Sequence, residues 1–340
     1  MSEQEGAHRG YRILEPSASA SAEASRRIFM TEVLIGLSKK PKSLSSRFLY
    51  DAVGSDAFER ICDLEEYYLT RCEFEILRSH AGALVERFGK RPINLVDLGA
   101  GDGRKTAVVL EALVEQGIDV RYVPIDISEP AMKTVVGAMG ERFPALPIQG
   151  LVSEYFEGVR WLSEQTERTN LVLFLGSNIG NFDKAHARAF LQQLWSALSP
   201  GDHVLVGFDL KKDIELLLAA YNDREGVTAE FNLNLLDRIN RELGGNFDRK
   251  TFRHFATYNV FSGAMESYLV SLERQRVFIG ALRQSFEFTP WEPIHTEYSY
   301  KYLDEDITGL AYFAGFDIEA LFYDKKRWFC DALWKVPGRR

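Results

Sequence analysis

The sequence predicts an α/β protein: a mostly parallel sheet covered on both faces, with a second, inserted α+β lobe late in the chain. Three observations carry this. Residues 93–106, Ile-Asn-Leu-Val-Asp-Leu-Gly-Ala-Gly-Asp-Gly-Arg-Lys-Thr, read as a buried strand, a glycine turn and the start of a helix. Near-continuous apolar runs at 93–98, 120–127, 148–152, 171–175 and 203–208 alternate with helical patterns, as parallel strands buried on both sides do. The alternation then stops after 212, where helical sequence is followed by strand-like runs at 256–261, 265–272, 275–279 and 286–288.

Taken in order, residues 1–24 are polar and small and predict a flexible arm. Ile28, Val33, Leu34 and Leu37 give 24–37 a helical stripe that Pro41 ends. Residues 45–71 set Phe48, Tyr50, Phe58, Tyr67 and Tyr68 among polar turn residues. A single such tyrosine commonly fills a seam; two clusters of them can form the lid of a small-molecule pocket. Helical spacing returns over 73–88.

The turn after the first strand places Gly99, Gly101 and Gly103 at alternate positions. Glycine lets a ligand approach the backbone closely, and the following helix, read over 105–113, offers unpaired N–H groups. The second strand, 120–127, carries Asp126, a carboxylate placed to accept from two ribose hydroxyls. A helix over 130–143 and a strand at 148–152 lead to Glu154 and Tyr155. The fourth strand ends in Gly176-Ser-Asn-Ile-Gly-Asn181, a helix follows at 185–198, and 203–208 is the fifth strand. Gly99, Asp126, Glu154 and Asn181 thus all fall at carboxyl ends of strands, where open α/β sheets bind ligands.

Residues 212–243 read as one helical stretch stopped by Gly244-Gly245. Residues 296–303 lead back toward the sheet, 307–314 is a helix, and 318–323 with 327–334 form a closing pair of strands. The expected organisation is an arm (1–24), a helical segment contributing to the substrate lobe (25–75), a nucleotide-binding domain (76–212 with 300–340) and a substrate-binding lobe (213–299).

Composition narrows the function classes. The 340 residues carry a formal charge of −8, which disfavours nucleic acid as a partner. Cys62, Cys72 and Cys330 make no disulfide framework, which points to a reducing, cytoplasmic compartment. No basic-then-apolar leader and no apolar run of membrane-spanning length is read. The six histidines, His8, His80, His186, His203, His254 and His295, show no metal-ligand spacing, so no metal is expected. No G-x-S-x-G elbow is present.

The tighter G-x-G-x-G spacing, with an acid ending strand two, resembles a Rossmann-like class I S-adenosylmethionine-dependent methyltransferase rather than a dinucleotide site. In that setting Asn181, after strand four, has an amide able to hold an amine and a carboxylate together. Alone, such an asparagine is more often a turn residue; its place after strand four makes function as ready a reading as turn. Glu297 and Ser299 lie on one side of a strand, where a carboxylate and a hydroxyl can bind both nitrogens of an imidazole. From spacing alone an exposed polar ribbon is the simpler reading, as a helix-surface role is for Tyr221.

Longer matches add to this. Phe-Leu-Tyr-Asp-Ala-Val-Gly-Ser-Asp, Glu-Tyr-Tyr-x-Thr-Arg, Asp-Leu-Gly-Ala-Gly-Asp-Gly-Arg-Lys-Thr, Phe-Leu-Gly-Ser-Asn-Ile-Gly-Asn, Ala-Tyr-Asn-Asp-x-x-Gly-Val-Thr-Ala-x-Phe-Asn, Asn-Arg-Glu-Leu and Thr-Glu-x-Ser-x-Lys-Tyr together span about residues 40–335. They resemble the L-histidine Nα-methyltransferases of ergothioneine biosynthesis. The resemblance implies that Gly99, Gly101, Lys105, Asp126, Glu154 and Tyr155 line the S-adenosylmethionine site. Glu154-Tyr155 stands where the family usually has Asp-Phe. It implies that Tyr67, Asn181 and Tyr221 hold the substrate's amino and carboxylate groups with Tyr50 nearby, Asn181, Tyr67 and Tyr50 being catalytic. Glu297 and Ser299 would read the imidazole. Ser267 stands where better-known members have a methionine lining the imidazole pocket. The implied reaction is trimethylation of free L-histidine to hercynine by a protein acting as a monomer. Alternatives are methylation of a ring nitrogen, methylation of the α-amine of Tyr or Trp, a binding protein without turnover, and a nucleic-acid methyltransferase.

Overall fold

The structure is a computed structural model that describes residues 9–14, 22–165 and 167–338. The chain enters through β1 (Arg9–Ile13), α1 (Ala22–Ser38) and the two-residue β2 (Lys42–Ser43). A 3₁₀ turn (Ser46–Leu49), α2 (Ala52–Asp63) and α3 (Tyr68–Glu86) follow. The alternating core then runs β3 (Ile93–Leu98), α4 (Arg104–Glu115), β4 (Val120–Asp126), α5 (Glu129–Arg142), β5 (Ile148–Val152) and α6 (Tyr155–Gln165). It continues through β6 (Thr169–Phe174), a 3₁₀ turn (Asn178–Asn181), α7 (Lys184–Ala197) and β7 (His203–Asp209).

Next come α8 (Ile214–Tyr221), α9 (Val227–Leu243), β8 (Phe252–Asn259), β9 (Ala264–Ser271), the hairpin of β10 (Gln275–Ile279) and β11 (Gln284–Phe288), and β12 (Pro293–Tyr300). The chain closes with α10 (Asp304–Ala314), β13 (Asp317–Tyr323) and β14 (Phe329–Lys335).

The main sheet has eight strands in the order β1-β5-β4-β3-β6-β7-β14-β13. The first six are mutually parallel; β14 runs antiparallel to both of its neighbours. All six residues of β3 are buried, which is why its sequence is a continuous apolar run broken only by Asn94 and Asp97. From β3 the chain builds outward to β5, then returns to place β6 on the other side of β3. That reversal opens a crevice at the carboxyl ends of β3 and β6, beside Gly99 and Gly176. A second sheet, β2-β12-β9-β8, carries α8 and α9 packed on β8 and β9.

Four expectations change. Arg9–Ile13 form an edge strand paired with β5, not part of a flexible arm, and Ala22 already begins α1. The rest of that arm, 1–8 and 15–21, lies outside the described residues. Residues 52–63, read as turns, form α2, started by Asp51 accepting from the Gly54 N–H at 2.8 Å. The single helix of 212–243 is two, because Asp223 accepts from the Val227 and Thr228 N–H groups at 2.8 Å and starts a new helix. Residues 293–300 are a full strand inside the second sheet, so that sheet draws on 42–43 as well as 213–300.

Candidate active site

One cavity lies between the two sheets, with about 460 Å³ of atom-free space, partly open to solvent. Tyr50, Tyr67, Asn181, Tyr221, Glu297 and Ser299 all line it, together with Phe58 and Phe231. Each arrives for a local reason. Tyr50 ends the turn before α2, and Tyr67 is the residue before α3 begins. Asn181 closes the turn after β6, where Gly176 and Ser177 adopt positive φ of 77° and 55°. Tyr221 ends α8. A bulge between His295 and Glu297 sets which residues of β12 face the cavity.

The cavity is rich in aromatic edges. Tyr50 meets Phe58 and Phe231 with ring centroids 5.3 Å apart, and Tyr67 meets Phe58 and Tyr221 at 6.2 Å. Burial pushes the phenols of Tyr50, Tyr67 and Tyr221 well above their ordinary range. They stay neutral near pH 7, as hydrogen-bond donors and not bases. Glu297 differs: burial lifts its carboxyl to about 7, against the lowering pull of Lys301.

Ser267 does not line the cavity. It is buried opposite Glu297 in the β9–β12 ladder, and its carbonyl accepts from Thr296 at 3.0 Å.

Beneath the cavity lies a charged network. Asp209, at the end of β7, pairs with Lys301 at 2.7 Å and with Lys212, and accepts from Tyr68 at 2.8 Å. Burial acts to raise the Asp209 carboxyl, but the two lysines outweigh it and hold it below its usual range. Lys301 also donates to Tyr221 and Ser299.

At the other side of the turn after β6, the residues expected at the nucleotide converge only in part. Gly99 has φ +75°, and a Cβ there would lie 2.8 Å from the Tyr155 hydroxyl, so this position is built for backbone approach. Asp126 Oδ1 accepts from the Ser128 N–H at 2.7 Å at the carboxyl end of β4, and burial raises its carboxyl. Gly101 and Glu154 are exposed at loop ends. These groups fit a nucleoside carried on a glycine turn. Among the described residues no His, Cys, Asp and Glu cluster can hold a metal ion, and no helix is long and apolar enough to cross a membrane.

Lys105 turns inward. Its ammonium pairs with Glu73 Oε2 at 2.5 Å, while Glu73 Oε1 accepts from the Gly176 N–H at 2.7 Å. Burial works against the Lys105 charge, and Glu73 more than restores it. Burial and the neighbouring Glu73 push the carboxyl of Asp331 of β14 well above its usual range. One fully buried carboxylate thus ties the helix after the glycine turn to the loop that carries Asn181. Glu73→Gln keeps an acceptor for Gly176 but leaves Lys105 without its counter-charge. We expect a stability loss of about 2 kcal/mol by urea denaturation; a loss below about 0.5 kcal/mol would contradict the pairing.

Sequence reasoning missed Glu73, Phe231, Asp209 and Lys301. Lys301 was within a quoted motif, yet a lysine ending a strand reads as solvent-facing until its buried acceptor is known.

The chain matches the model of the histidine-specific, SAM-dependent methyltransferases over residues 29–336. It is 38% identical over 291 residues to histidine N-alpha-methyltransferase of Mycolicibacterium smegmatis, covering 86% of this chain and 88% of that protein. It is 30% identical over 279 residues to ergothioneine biosynthesis protein 1 of Schizosaccharomyces pombe, covering 79% of this chain and 36% of that longer protein. A 4-dimethylallyltryptophan N-methyltransferase of Claviceps purpurea is 27% identical over 293 residues, 80% of this chain and 84% of that one. With the family model matched across nearly the whole chain, this protein belongs to the histidine-specific, S-adenosylmethionine-dependent methyltransferases.

Proposed function

We propose that this chain methylates the α-nitrogen of free L-histidine, three times in succession, to hercynine on the route to ergothioneine, acting as a cytoplasmic monomer. The observation that carries the reading is one cavity between the two sheets. It combines Asn181 and Tyr67, suited to an amino acid's amine and carboxylate, with Glu297 and Ser299, suited to an imidazole, and Tyr221 between them. The names of the relatives support the same substrate and pathway.

Gly99, Gly101, Lys105, Asp126, Glu154 and Tyr155 would hold S-adenosylmethionine. When bound, that cofactor supplies a methyl group made electrophilic by its sulfonium. The protein's task is then orientation. Asn181 offers a carbonyl acceptor to an amine hydrogen and an amide donor to the carboxylate. Tyr67 donates to the carboxylate, with the Tyr221 ring against it, leaving the amine lone pair free to align with the methyl group. The rings of Tyr50, Phe58, Tyr67, Tyr221 and Phe231 surround nitrogen that gains positive charge as each methyl arrives. Each round leaves an ammonium whose proton must depart before the next, through the open side of the cavity.

The test is mass spectrometry of the purified protein with S-adenosylmethionine and all the amino acids together, with fragmentation. Three methyls on the histidine α-nitrogen are expected. Methylation of tyrosine or tryptophan instead would shift the substrate within the same cavity; methylation of no amino acid would overturn the reading.

A further inference from the structure

The Lys301 side chain has no solvent exposure, and its ammonium meets three acceptors: Asp209 Oδ2 at 2.7 Å, the Tyr221 hydroxyl at 2.8 Å and Ser299 Oγ at 2.9 Å. An ammonium has three hydrogens, so all are committed. Tyr221 and Ser299 are themselves 2.7 Å apart, so one hydroxyl donates to the other. The phenol is the stronger acid, and an ammonium at its oxygen strengthens it further as a donor. Tyr221 therefore gives its hydrogen to Ser299. Ser299 Oγ then accepts twice, from Lys301 and from Tyr221, and both of its lone pairs are filled. It keeps one hydrogen and can only donate it.

We propose that Lys301 is a specificity-determining positioning residue: it makes Ser299 a donor-only group beside the acceptor Glu297, so that the pair reads a ring with one N–H and one bare nitrogen. This rests on histidine being the substrate. A neutral imidazole satisfies both groups. An imidazolium does not, because its second N–H meets the Ser299 hydrogen with the Lys301 charge behind it. A phenyl ring or an indole leaves Ser299 without an acceptor.

The charged and titratable groups around this wall are few. Asp209 of β7 bears on Lys301, with Lys212 and Tyr68 behind it. Glu297 of β12 and Tyr258 of β8 also act on Lys301, and Tyr221 of α8 touches it. Tyr50 and Tyr67 lie within reach of Glu297, and Cys62 of α2 lies beyond them. Asp209 is held low and the phenols of Tyr50, Tyr67 and Tyr221 high. Glu297 and the ligand's own ring are left to titrate near neutrality.

The test is calorimetry of histidine binding to the full chain saturated with S-adenosylhomocysteine, at about pH 7.5 and about pH 5.5, on either side of an imidazole's ordinary pKa. Wild type is expected to bind histidine more than about 10-fold more weakly at the lower pH, the ring and Glu297 both contributing. Lys301→Met keeps Lys212 and Tyr68 as donors to Asp209. It frees a Ser299 lone pair and removes the charge behind it. Its histidine affinity at the higher pH should fall, and its acid-induced loss should be smaller than that of wild type by about 3-fold or more, the share due to Glu297 remaining, with S-adenosylhomocysteine affinity within about 2-fold of wild type. Lys301→Gln should give the same flattened profile, and Lys301→Arg should restore a steep one.

An unchanged pH profile in Lys301→Met or Lys301→Gln overturns the proposal. So does parallel loss of S-adenosylhomocysteine binding in both, which would make Lys301 a framework residue. Failure of wild type itself to bind histidine at the higher pH overturns the functional reading, and this one with it.

Discussion

Glu297→Ala is expected to weaken histidine binding about 100-fold while leaving S-adenosylhomocysteine binding within about 2-fold. The carboxylate faces the cavity beside Ser299, and burial has raised it to about 7. An imidazole N–H that loses this acceptor is left unpaired in a desolvated pocket, at a penalty of about 2–3 kcal/mol. The sign with pH follows. Glu297 accepts best when ionised, so wild-type affinity rises as pH climbs through about 7. The substrate ring sheds its own proton near pH 6.5, in the same direction. In Glu297→Ala the part of this rise due to the carboxylate disappears. Calorimetry at several pH values separates the two contributions, and a variant with wild-type histidine affinity would remove Glu297 from the site.

Gly180→Ala is expected to lower kcat about 100-fold with little change in KM for S-adenosylmethionine. The reason is space. A Cβ on Gly180 would lie 2.9 Å from the Tyr300 carbonyl oxygen and 3.3 Å from its nitrogen. Those atoms belong to β12, between Ser299 and the buried Lys301, and cannot move aside cheaply. The turn of Asn178–Asn181 must yield instead, carrying Asn181 with it. Displacing an orienting group by a fraction of an ångström damages alignment more than binding. Overpacking should also destabilise the fold by about 1–3 kcal/mol. Steady-state kinetics and thermal melting check both parts; a kcat within about 3-fold of wild type would show that the turn accommodates the methyl group.

Much of the fold was legible because parallel strands buried on both faces leave unmistakable apolar runs. The expected limits of 93–98 and 148–152 are those observed. Elements whose support lies far away in sequence were not legible. The Asp51 side chain that starts α2 is also held by Asn234 and Arg241 of α9, partners no local pattern reveals. β1 escaped notice because an exposed edge strand carries little apolar periodicity. The hydrophobic stripe of 214–243 runs on through the break at Asp223, since both helices bury the same kind of face.

The site divided in the same way. Spacing showed that Glu297 and Ser299 share a side, but not that the side is a cavity wall. Asn181 was suspect from its place after a strand, whereas Glu73 and Lys301 were hidden. A buried charge is recognisable only once its counter-charge is known, and theirs come from other strands and helices.

The most direct test of the central claim uses histidine labelled with ¹⁵N at the α-nitrogen and S-adenosylmethionine labelled with ¹³C in the methyl group, followed by NMR. The account predicts ¹³C methyl signals coupled to the α-¹⁵N, growing to three equivalent methyls. Methyl signals without that coupling, correlated instead with ring protons, would place the transfer on the imidazole and contradict it.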